Sequence, residues 1–241
     1  MTPTACRTLS RVCRHLSSSS FSPAFHHAYL AALTTRSPLD APRTELTEGS
    51  ANPQRILLRD PTLVAPCSSL RRLLLSPHSE LKGFVTSSGE RRVSTNGSDL
   101  ELVLGAPALP LIDMLKLEVF RRVKVAFPLP IEEAGSILSW LSPSAETNEP
   151  AYSAVHCDKA NNYLYDLSAI LYLSSADEHF TGGELTFCDQ EANCFVRPRV
   201  GTLVMFDAGL SNIHRVERVL TGDRLALSVW YRNLDPHKRS N

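Results

Sequence analysis

The chain has 241 residues, with 25 Lys plus Arg against 25 Asp plus Glu, and 43% of its residues are hydrophobic. This balance is typical of a globular protein and excludes a collagen-like, disulfide-dense or wholly disordered chain. Zero formal net charge removes the usual electrostatic argument for nucleic-acid binding, because phosphate contacts require a clustered excess of Lys and Arg. The apolar runs are far shorter than the roughly 20 residues that a membrane-spanning helix requires. We therefore predict neither a nucleic-acid partner nor a transmembrane segment.

The N-terminal segment has a composition of its own. Its first 39 residues contain four arginines, seven serines and no acidic residue, which is typical of an organelle transit peptide. The stretch Arg14 to Ser18 resembles a mitochondrial processing site. We predict that residues 1–45 are an N-terminal extension with a transit peptide for the mitochondrion or another organelle. The alternative is a disordered Ser-rich tail on a cytoplasmic protein.

The next segment, residues 46–134, is predicted to be a helical supporting region. Apolar residues between Arg55 and Phe84 favour one or two short helices, and the polar stretch Thr86 to Asp99 favours a loop. In Pro110 to Val123, Leu and Val side chains recur at helical spacing, with cationic residues towards the end where the helix dipole favours them.

After residue 150 the pattern changes to short runs rich in β-forming residues and separated by turn residues. These runs have no helical pattern between them, which favours a sandwich or barrel over a parallel α/β sheet. The predicted strands are Tyr152–Asp158, Asp166–Ser174, Glu184–Phe187, Phe195–Val196, Gly201–Phe206, Ile213–Val219 and Arg224–Tyr231.

Three side chains in this β-rich region have the chemistry of a metal site. His156 and Asp158 lie two residues apart in a predicted strand, so alternation places both on the same side. His214 lies in a different predicted strand, which an antiparallel arrangement could bring opposite that pair. Two His and one carboxylate make a facial triad with open coordination positions, which suits non-haem Fe(II) oxygenases.

Two further strands supply candidate walls of a ligand pocket. Arg224 begins the last strand, where its guanidinium can bind a carboxylate through two hydrogen bonds. The same face continues as Ala226, Ser228 and Trp230, whereas the opposite face is aliphatic; an ordinary solvent-facing strand would show a similar pattern. Tyr172, in Asp166–Ser174, is predicted either to give its hydroxyl to the pocket or to pack in the core.

These residues carry a resemblance to a known family. In chain order the motifs are His156-x-Asp158, Ser168-Ala169-Ile170-Leu171-Tyr172-Leu173, Phe180-Thr181-Gly182-Gly183-Glu184-Leu185, Arg197-Pro198-Arg199-Val200-Gly201, Asn212-Ile213-His214-Arg215-Val216-Glu217 and Gly222-Asp223-Arg224. Together they resemble the prolyl-hydroxylase-like 2-oxoglutarate and Fe(II)-dependent dioxygenases. The resemblance implies a mainly β fold with N-terminal helices, in which residues 135–235 form a double-stranded β-helix, or jelly roll.

The resemblance also implies an activity and a set of ligands. It implies that His156, Asp158 and His214 bind Fe(II), that Arg224 binds the distal carboxylate of 2-oxoglutarate, and that Tyr172 and Ser228 assist. The implied reaction uses O2 to hydroxylate a C–H bond, most simply of a prolyl or other side chain in a protein or peptide substrate. It releases succinate and CO2, with ascorbate as reductant. No catalytic residue beyond the metal ligands is implied.

Two departures from the family pattern leave alternatives open. Cys157 stands where Val or Ala is commoner, and Ala226 stands where some dioxygenases have Ser or Thr. One alternative is a non-catalytic jelly-roll binding protein that retains a metal and 2-oxoglutarate pocket. Another is a zinc protein that uses cysteines, although alternation would point Cys157 away from His156 and Asp158. We predict free thiols rather than a Cys188–Cys194 disulfide.

Overall fold

A computed structural model describes residues 22–35, 41–50, 54–76, 84–85, 90–95, 106–143 and 151–235. The predicted processing site at Arg14 to Ser18 lies outside these residues. The helices are α1 (Pro23–Thr35), α2 (Pro61–Leu74), α3 (Leu109–Ala126) and the short α4 (Asp158–Asn161). No helix in the described ranges is both long enough and apolar enough to cross a membrane.

The strands fall into two sheets. In chain order they are β1 (Arg43–Glu45), β2 (Arg55–Arg59), β3 (Phe84–Val85), β4 (Glu90–Ser94), β5 (Ile131–Leu141), β6 (Ala151–His156), β7 (Leu167–Tyr172), β8 (Phe180–Gly182), β9 (Leu185–Phe187), β10 (Asn193–Val196), β11 (Thr202–Asp207), β12 (His214–Gly222) and β13 (Arg224–Asn233). The first sheet has the order β1-β10-β9-β12-β6, with β8 also paired to β12. The second has the order β2-β11-β7-β13-β5-β4-β3.

Strand β13 separates two hydrophobic cores because its side chains alternate between the faces of the second sheet. Leu225, Leu227, Val229 and Tyr231 point outwards and pack with apolar residues of α2 and α3. The opposite face packs towards the first sheet, where Ala226 joins an inter-sheet core. The aliphatic and the small or polar faces predicted for this strand are therefore confirmed.

The inter-sheet core is built from both sheets. Tyr172 of β7 and Phe206 of β11 come from the second sheet, and Leu185 and Phe187 of β9 come from the first. The Phe187 and Phe206 rings meet edge to face with centroids 5.1 Å apart, a favoured geometry for an aromatic pair. Two curled sheets enclose the inter-sheet core, and the helices lie outside it. This arrangement confirms the predicted jelly-roll fold.

The sequence pattern was misleading in part of the N-terminal half. Residues 55–59 are strand β2, not the predicted helix, because Ile56 and Leu58 pack on the helix side of the sheet while Leu57 faces the inter-sheet core. Pro61 begins α2, since proline is well tolerated in the first helical turn. Within the predicted loop Thr86 to Asp99, residues 90–94 form β4 along β5.

Helix α1 lies within the segment predicted to be an N-terminal extension. Its Tyr29 is 2% exposed and packs in a cluster with Cys157 and Ile213. These two residues are chain neighbours of Asp158 and His214, respectively. The helix therefore packs directly behind the candidate metal ligands.

Candidate metal centre

His156 and Asp158 stand where a strand passes into a helix. Strand β6 ends at His156, Cys157 is extended with φ −115° and ψ 148°, and Asp158 is the first residue of α4. The expectation that both residues lie inside a strand is therefore wrong for Asp158. One extended residue between them still places both side chains on the same side, as predicted.

His214 completes the cluster from the neighbouring strand. It begins β12 and pairs with His156 in the antiparallel register of β6 and β12, so the two rings lie with centroids 4.4 Å apart. The Asp158 Oδ1 atom lies 3.4 Å from His156 Nε2 and 3.9 Å from His214 Nε2. One ligand atom from each residue lies within 4.8 Å of the others, as the sequence predicted.

Hydrogen bonds fix which nitrogen of each imidazole faces the cluster. His156 Nδ1 lies 2.7 Å from the Ala154 carbonyl oxygen, and His214 Nδ1 lies 2.9 Å from that of Asn212. A carbonyl oxygen only accepts, so each Nδ1 carries the proton and donates it. Each Nε2 is then left with a lone pair directed at the cluster, the arrangement that metal-binding histidines use.

The Asp158 carboxylate is oriented in a similar way. The Ser168 hydroxyl donates a 2.7 Å hydrogen bond to Oδ2, which leaves Oδ1 nearest the two histidines. Although burial raises the pKa of the Asp158 carboxyl, the neighbouring His214 and His156 side chains hold it well below the ordinary value. The cluster thus offers one carboxylate oxygen and two imidazole Nε2 atoms, a donor set that fits Fe(II).

The Ser168 hydroxyl gives a testable contribution to this orientation. We expect Ser168→Ala to weaken Co(II) binding about tenfold, because a partner that orients a metal ligand typically contributes that much. Ser174→Ala is the matched control, since it removes another buried hydroxyl that hydrogen-bonds the backbone of Leu225. Calorimetric titration of the metal-free variants measures the effect, and equal affinities in the two variants would contradict it.

Protonation of His214 should make the metal-free fold sensitive to acid. Burial, followed by the neighbouring His156 side chain, lowers the pKa of His214 from 6.5 to about 4. In this window the unfolded chain takes up a proton that the folded protein does not, so stability falls as the pH falls. Between about pH 7.5 and about pH 5 we expect the free energy of unfolding, measured with urea, to fall by about 2 kcal/mol. We expect His214→Gln to abolish this pH dependence. A wild-type stability that stays flat in this range would contradict the expectation.

A cavity of about 220 Å³ lies beside the cluster, between the sheets. The predicted wall of Arg224, Ala226, Ser228 and Trp230 lines it in full. Tyr165 also lines it, and its ring stacks on Trp230 with centroids 4.7 Å apart. No sequence pattern indicated Tyr165, because it lies outside the strands and only the folded chain brings it against Trp230.

Arg224 is held inside the cavity by its neighbours. Its side chain is almost fully buried, and Nε donates a 2.8 Å hydrogen bond to the Gly183 carbonyl oxygen. The guanidinium carbon lies 5.3 Å from the centre of the Tyr172 ring. Tyr172 itself is fully buried in the inter-sheet core, and its hydroxyl lies beside the Arg224 guanidinium.

Gly183 leaves no room for a side chain beside Arg224. It has φ +68°, and an added Cβ would lie 3.0 Å from Arg224 Cδ and 2.9 Å from a ring carbon of Phe180. We expect Gly183→Ala to displace Arg224 and weaken 2-oxoglutarate binding about tenfold or more, with Co(II) affinity retained. Gly49→Ala is the control, because Gly49 also has positive φ but nothing within 4 Å. Paired titrations measure both ligands; unchanged 2-oxoglutarate affinity in Gly183→Ala would contradict the expectation.

The site residues fall within a stretch that matches a known family. Residues 144–232 match the sequence model of the 2OG-Fe(II) oxygenase superfamily. This stretch is a 2OG-Fe(II) oxygenase domain. Within the oxygenase domain lie His156, Asp158, His214 and Arg224, together with the strands from β6 to β13 that position them.

Curated relatives resemble this oxygenase domain over part of their length. The chain is 40% identical over 88 residues to 2-oxoglutarate and iron-dependent oxygenase domain-containing protein 3 of Xenopus tropicalis, which is 36% of this chain and 28% of that relative. It is 40% identical over 80 residues to prolyl 3-hydroxylase 3 of Homo sapiens, which is 32% of this chain and 10% of the relative. The alignments thus span under a third of these relatives.

A solved structure shares the fold over a larger part of the chain. A Pseudomonas putida prolyl-4-hydroxylase superposes with a TM-score of 0.57 at 19% identity, covering 76% of this chain and 94% of that one. At this identity the similarity shows the fold alone. It agrees with the jelly roll described above.

None of the four cysteines in the described part of the chain takes part in the cluster. Cys157 is buried beside Tyr29 and Cys188, on the opposite side of the chain from the ligands, as alternation predicted. Cys188 and Cys194 are both free thiols, in agreement with the prediction. The three-residue group described above contains no thiol, so the cysteine-ligated zinc alternative has no support in the described residues.

Proposed function

We propose that this protein is an Fe(II)- and 2-oxoglutarate-dependent dioxygenase. The observation that carries the proposal is the cluster of His156, Asp158 and His214, in which hydrogen bonds direct two imidazole Nε2 atoms and one carboxylate oxygen to a common point. Three protein ligands of this type hold iron and leave coordination positions for other molecules. The oxygenase-domain match supports the same assignment.

The cavity supports 2-oxoglutarate as the co-substrate. Arg224 can bind one carboxylate through two parallel hydrogen bonds, while the other end of the molecule lies towards the histidines. Ser228 lines the same cavity and is proposed to donate to the ligand. The Tyr172 hydroxyl, which is buried beside the Arg224 guanidinium, is proposed as a second donor to the same carboxylate.

The protein side chains are proposed to orient the co-substrate and to exclude water, and not to exchange protons with the substrate. When bound, Fe(II) with 2-oxoglutarate and O2 supplies the oxidative chemistry that yields succinate, CO2 and a hydroxylated C–H bond. Arg224 fixes the direction of the co-substrate, and the inter-sheet core keeps water from the buried side of the cavity. Ascorbate is proposed as the reductant that maintains iron as Fe(II).

The proposed substrate is a prolyl or other side chain of a protein or peptide. The sequence similarity to prolyl 3-hydroxylase 3 supports this class. In the proposed organisation residues 135–235 are the catalytic domain, 46–134 support it, and 1–45 are an extension with the organelle signal predicted from composition.

An anaerobic titration tests the proposal. Wild-type protein loaded with Fe(II) receives 2-oxoglutarate, and we expect the weak visible charge-transfer band that two-point chelation of iron produces. On admission of O2 we expect uncoupled succinate formation. Absence of the band in folded, iron-loaded protein would overturn the proposal, and a band without any succinate would favour the non-catalytic binding protein.

A further inference from the structure

Arg55 is a buried cation outside the oxygenase-domain match. It begins β2 and is only 4% exposed. Its Nη1 and Nη2 atoms donate to the two carboxylate oxygens of Asp189, each at 2.6 Å, and its Nε donates to Asn212 Oδ1 at 2.6 Å. Nη2 also donates to the Ser211 carbonyl oxygen at 3.1 Å. These four hydrogen bonds closely define the position of the guanidinium.

Asn212 connects this guanidinium to the candidate metal centre. It is fully buried, and its Nδ2 donates to the Asp207 carbonyl oxygen at 2.9 Å. Its backbone carbonyl oxygen accepts a hydrogen bond from His214 Nδ1. The side chain of Asn212 is therefore fixed between Arg55 and the end of β11, while its backbone sets the angle of the His214 ring.

A second contact path leads from Arg55 to the same ring. The Arg55 guanidinium carbon lies 4.3 Å from the centre of the Phe187 ring. Phe187 is the register partner of His214 in the β9–β12 pair, and the two ring centroids lie 5.9 Å apart. Arg55 is thus connected to His214 by hydrogen bonds through Asn212 and by packing through the Phe187 ring.

We infer that Arg55 is a positioning residue for His214, acting through Asn212 and Phe187. The inference rests on the proposed function, since it gives His214 the role of a metal ligand. The partner of a ligating histidine commonly changes metal affinity by 10- to 100-fold. Asn212 provides that partner here through its backbone carbonyl oxygen. A substitution that removes the hydrogen bond between Arg55 and Asn212 should therefore lower metal affinity as well as stability.

Arg122 is the matched control for a merely structural role. It is also a mostly buried arginine, and it pairs with Asp60 and Glu118 between α3 and the start of α2. Arg122→Met therefore removes a similar ion pair away from the metal centre. Any general loss of stability should appear in both Arg55→Met and Arg122→Met, whereas an effect on the metal should appear in Arg55→Met alone.

Co(II) titration of the metal-free proteins tests the inference without reference to turnover. We expect Arg55→Met to raise the Co(II) dissociation constant 10- to 100-fold and to change the visible absorption of bound Co(II), with Arg122→Met like wild type. We expect Arg55→Lys not to restore the affinity, because an ammonium cannot reproduce the planar fork to Asp189 and Asn212. Asn212→Ala keeps the carbonyl that binds His214 but removes the link to Arg55, and should weaken Co(II) binding in the same direction.

The outcomes separate the two proposals. If wild-type protein binds Co(II) and Arg55→Met binds it equally well with the same spectrum, the positioning role is overturned while the proposed function stands. Equal losses in Arg55→Met and Arg122→Met also overturn it. If Arg55→Met does not fold, wild-type affinity in Asn212→Ala overturns it. Wild-type protein that binds no Co(II) overturns the proposed function and this inference with it.

Discussion

Replacing Asp158 with alanine is expected to abolish specific Fe(II) binding, with a loss of affinity greater than about 100-fold. The reason is that Asp158 provides the single anionic ligand of the cluster and lies within 3.9 Å of both histidine Nε2 atoms. A ligating residue should contribute more than the 10- to 100-fold of a partner that only orients a ligand. Iron content after dialysis and calorimetric titration measure the effect, and the 2-oxoglutarate charge-transfer band should vanish as well.

The isosteric variant and a distant carboxylate serve as controls for Asp158. Asp158→Asn keeps the shape but loses the charge, and it should also bind iron poorly. Asp60→Asn removes a carboxylate that caps α2 and pairs with Arg122, so it should reduce stability but not iron affinity. Tight, stoichiometric iron binding by Asp158→Ala would show that the iron binds elsewhere.

Replacing Arg224 with alanine is expected to weaken binding of 2-oxoglutarate without weakening binding of Fe(II). Two hydrogen bonds to a charged carboxylate contribute about 3 kcal/mol, so 2-oxoglutarate affinity should fall about 100-fold while Fe(II) affinity stays near wild type. Arg224→Lys should recover part of the loss, because it retains the charge but not the bidentate geometry. Binding is measured by titration of the Fe(II)-loaded variants.

Arg232 provides the matched control on the same strand. It also lies in β13, but it is 40% exposed and pairs at 3.3 Å with Glu132. Arg232→Ala should leave both affinities unchanged. If Arg224→Ala lost iron to the same extent as Asp158→Ala, Arg224 would be a structural residue rather than a co-substrate ligand.

The parts of the site that were predictable from sequence depend on local regularities. Alternation along β13 correctly separated Arg224 and Ser228 from the aliphatic face. Alternation across Cys157 placed His156 and Asp158 together, although the strand ends two residues before it was expected to. These inferences held because a single extended residue is enough to set the direction of its neighbours.

The parts that were missed depend on contacts between distant segments. Arg55 and Asn212 lie 157 positions apart in the chain, and no periodicity connects them. The short run Ile56 to Leu58 fits a helix or a strand equally well until β11 is available as a partner. Tyr29 was assigned to an extension because the composition around it is that of a signal, whereas its burial is decided by Cys157 and Ile213.

The division of the site between two sheets has a consequence for ligand length. The histidines project from the first sheet and Arg224 from the second, so the spacing of the sheets sets the distance between iron and guanidinium. Phe187 and Phe206 pack between the sheets and both contact the His214 ring, which makes that spacing hard to change. Under the proposed function, this spacing therefore sets the length of dicarboxylate that can meet the iron and the Arg224 guanidinium at the same time. By holding the two sheets at a constant spacing, Phe187 and Phe206 would help to select a co-substrate by its length.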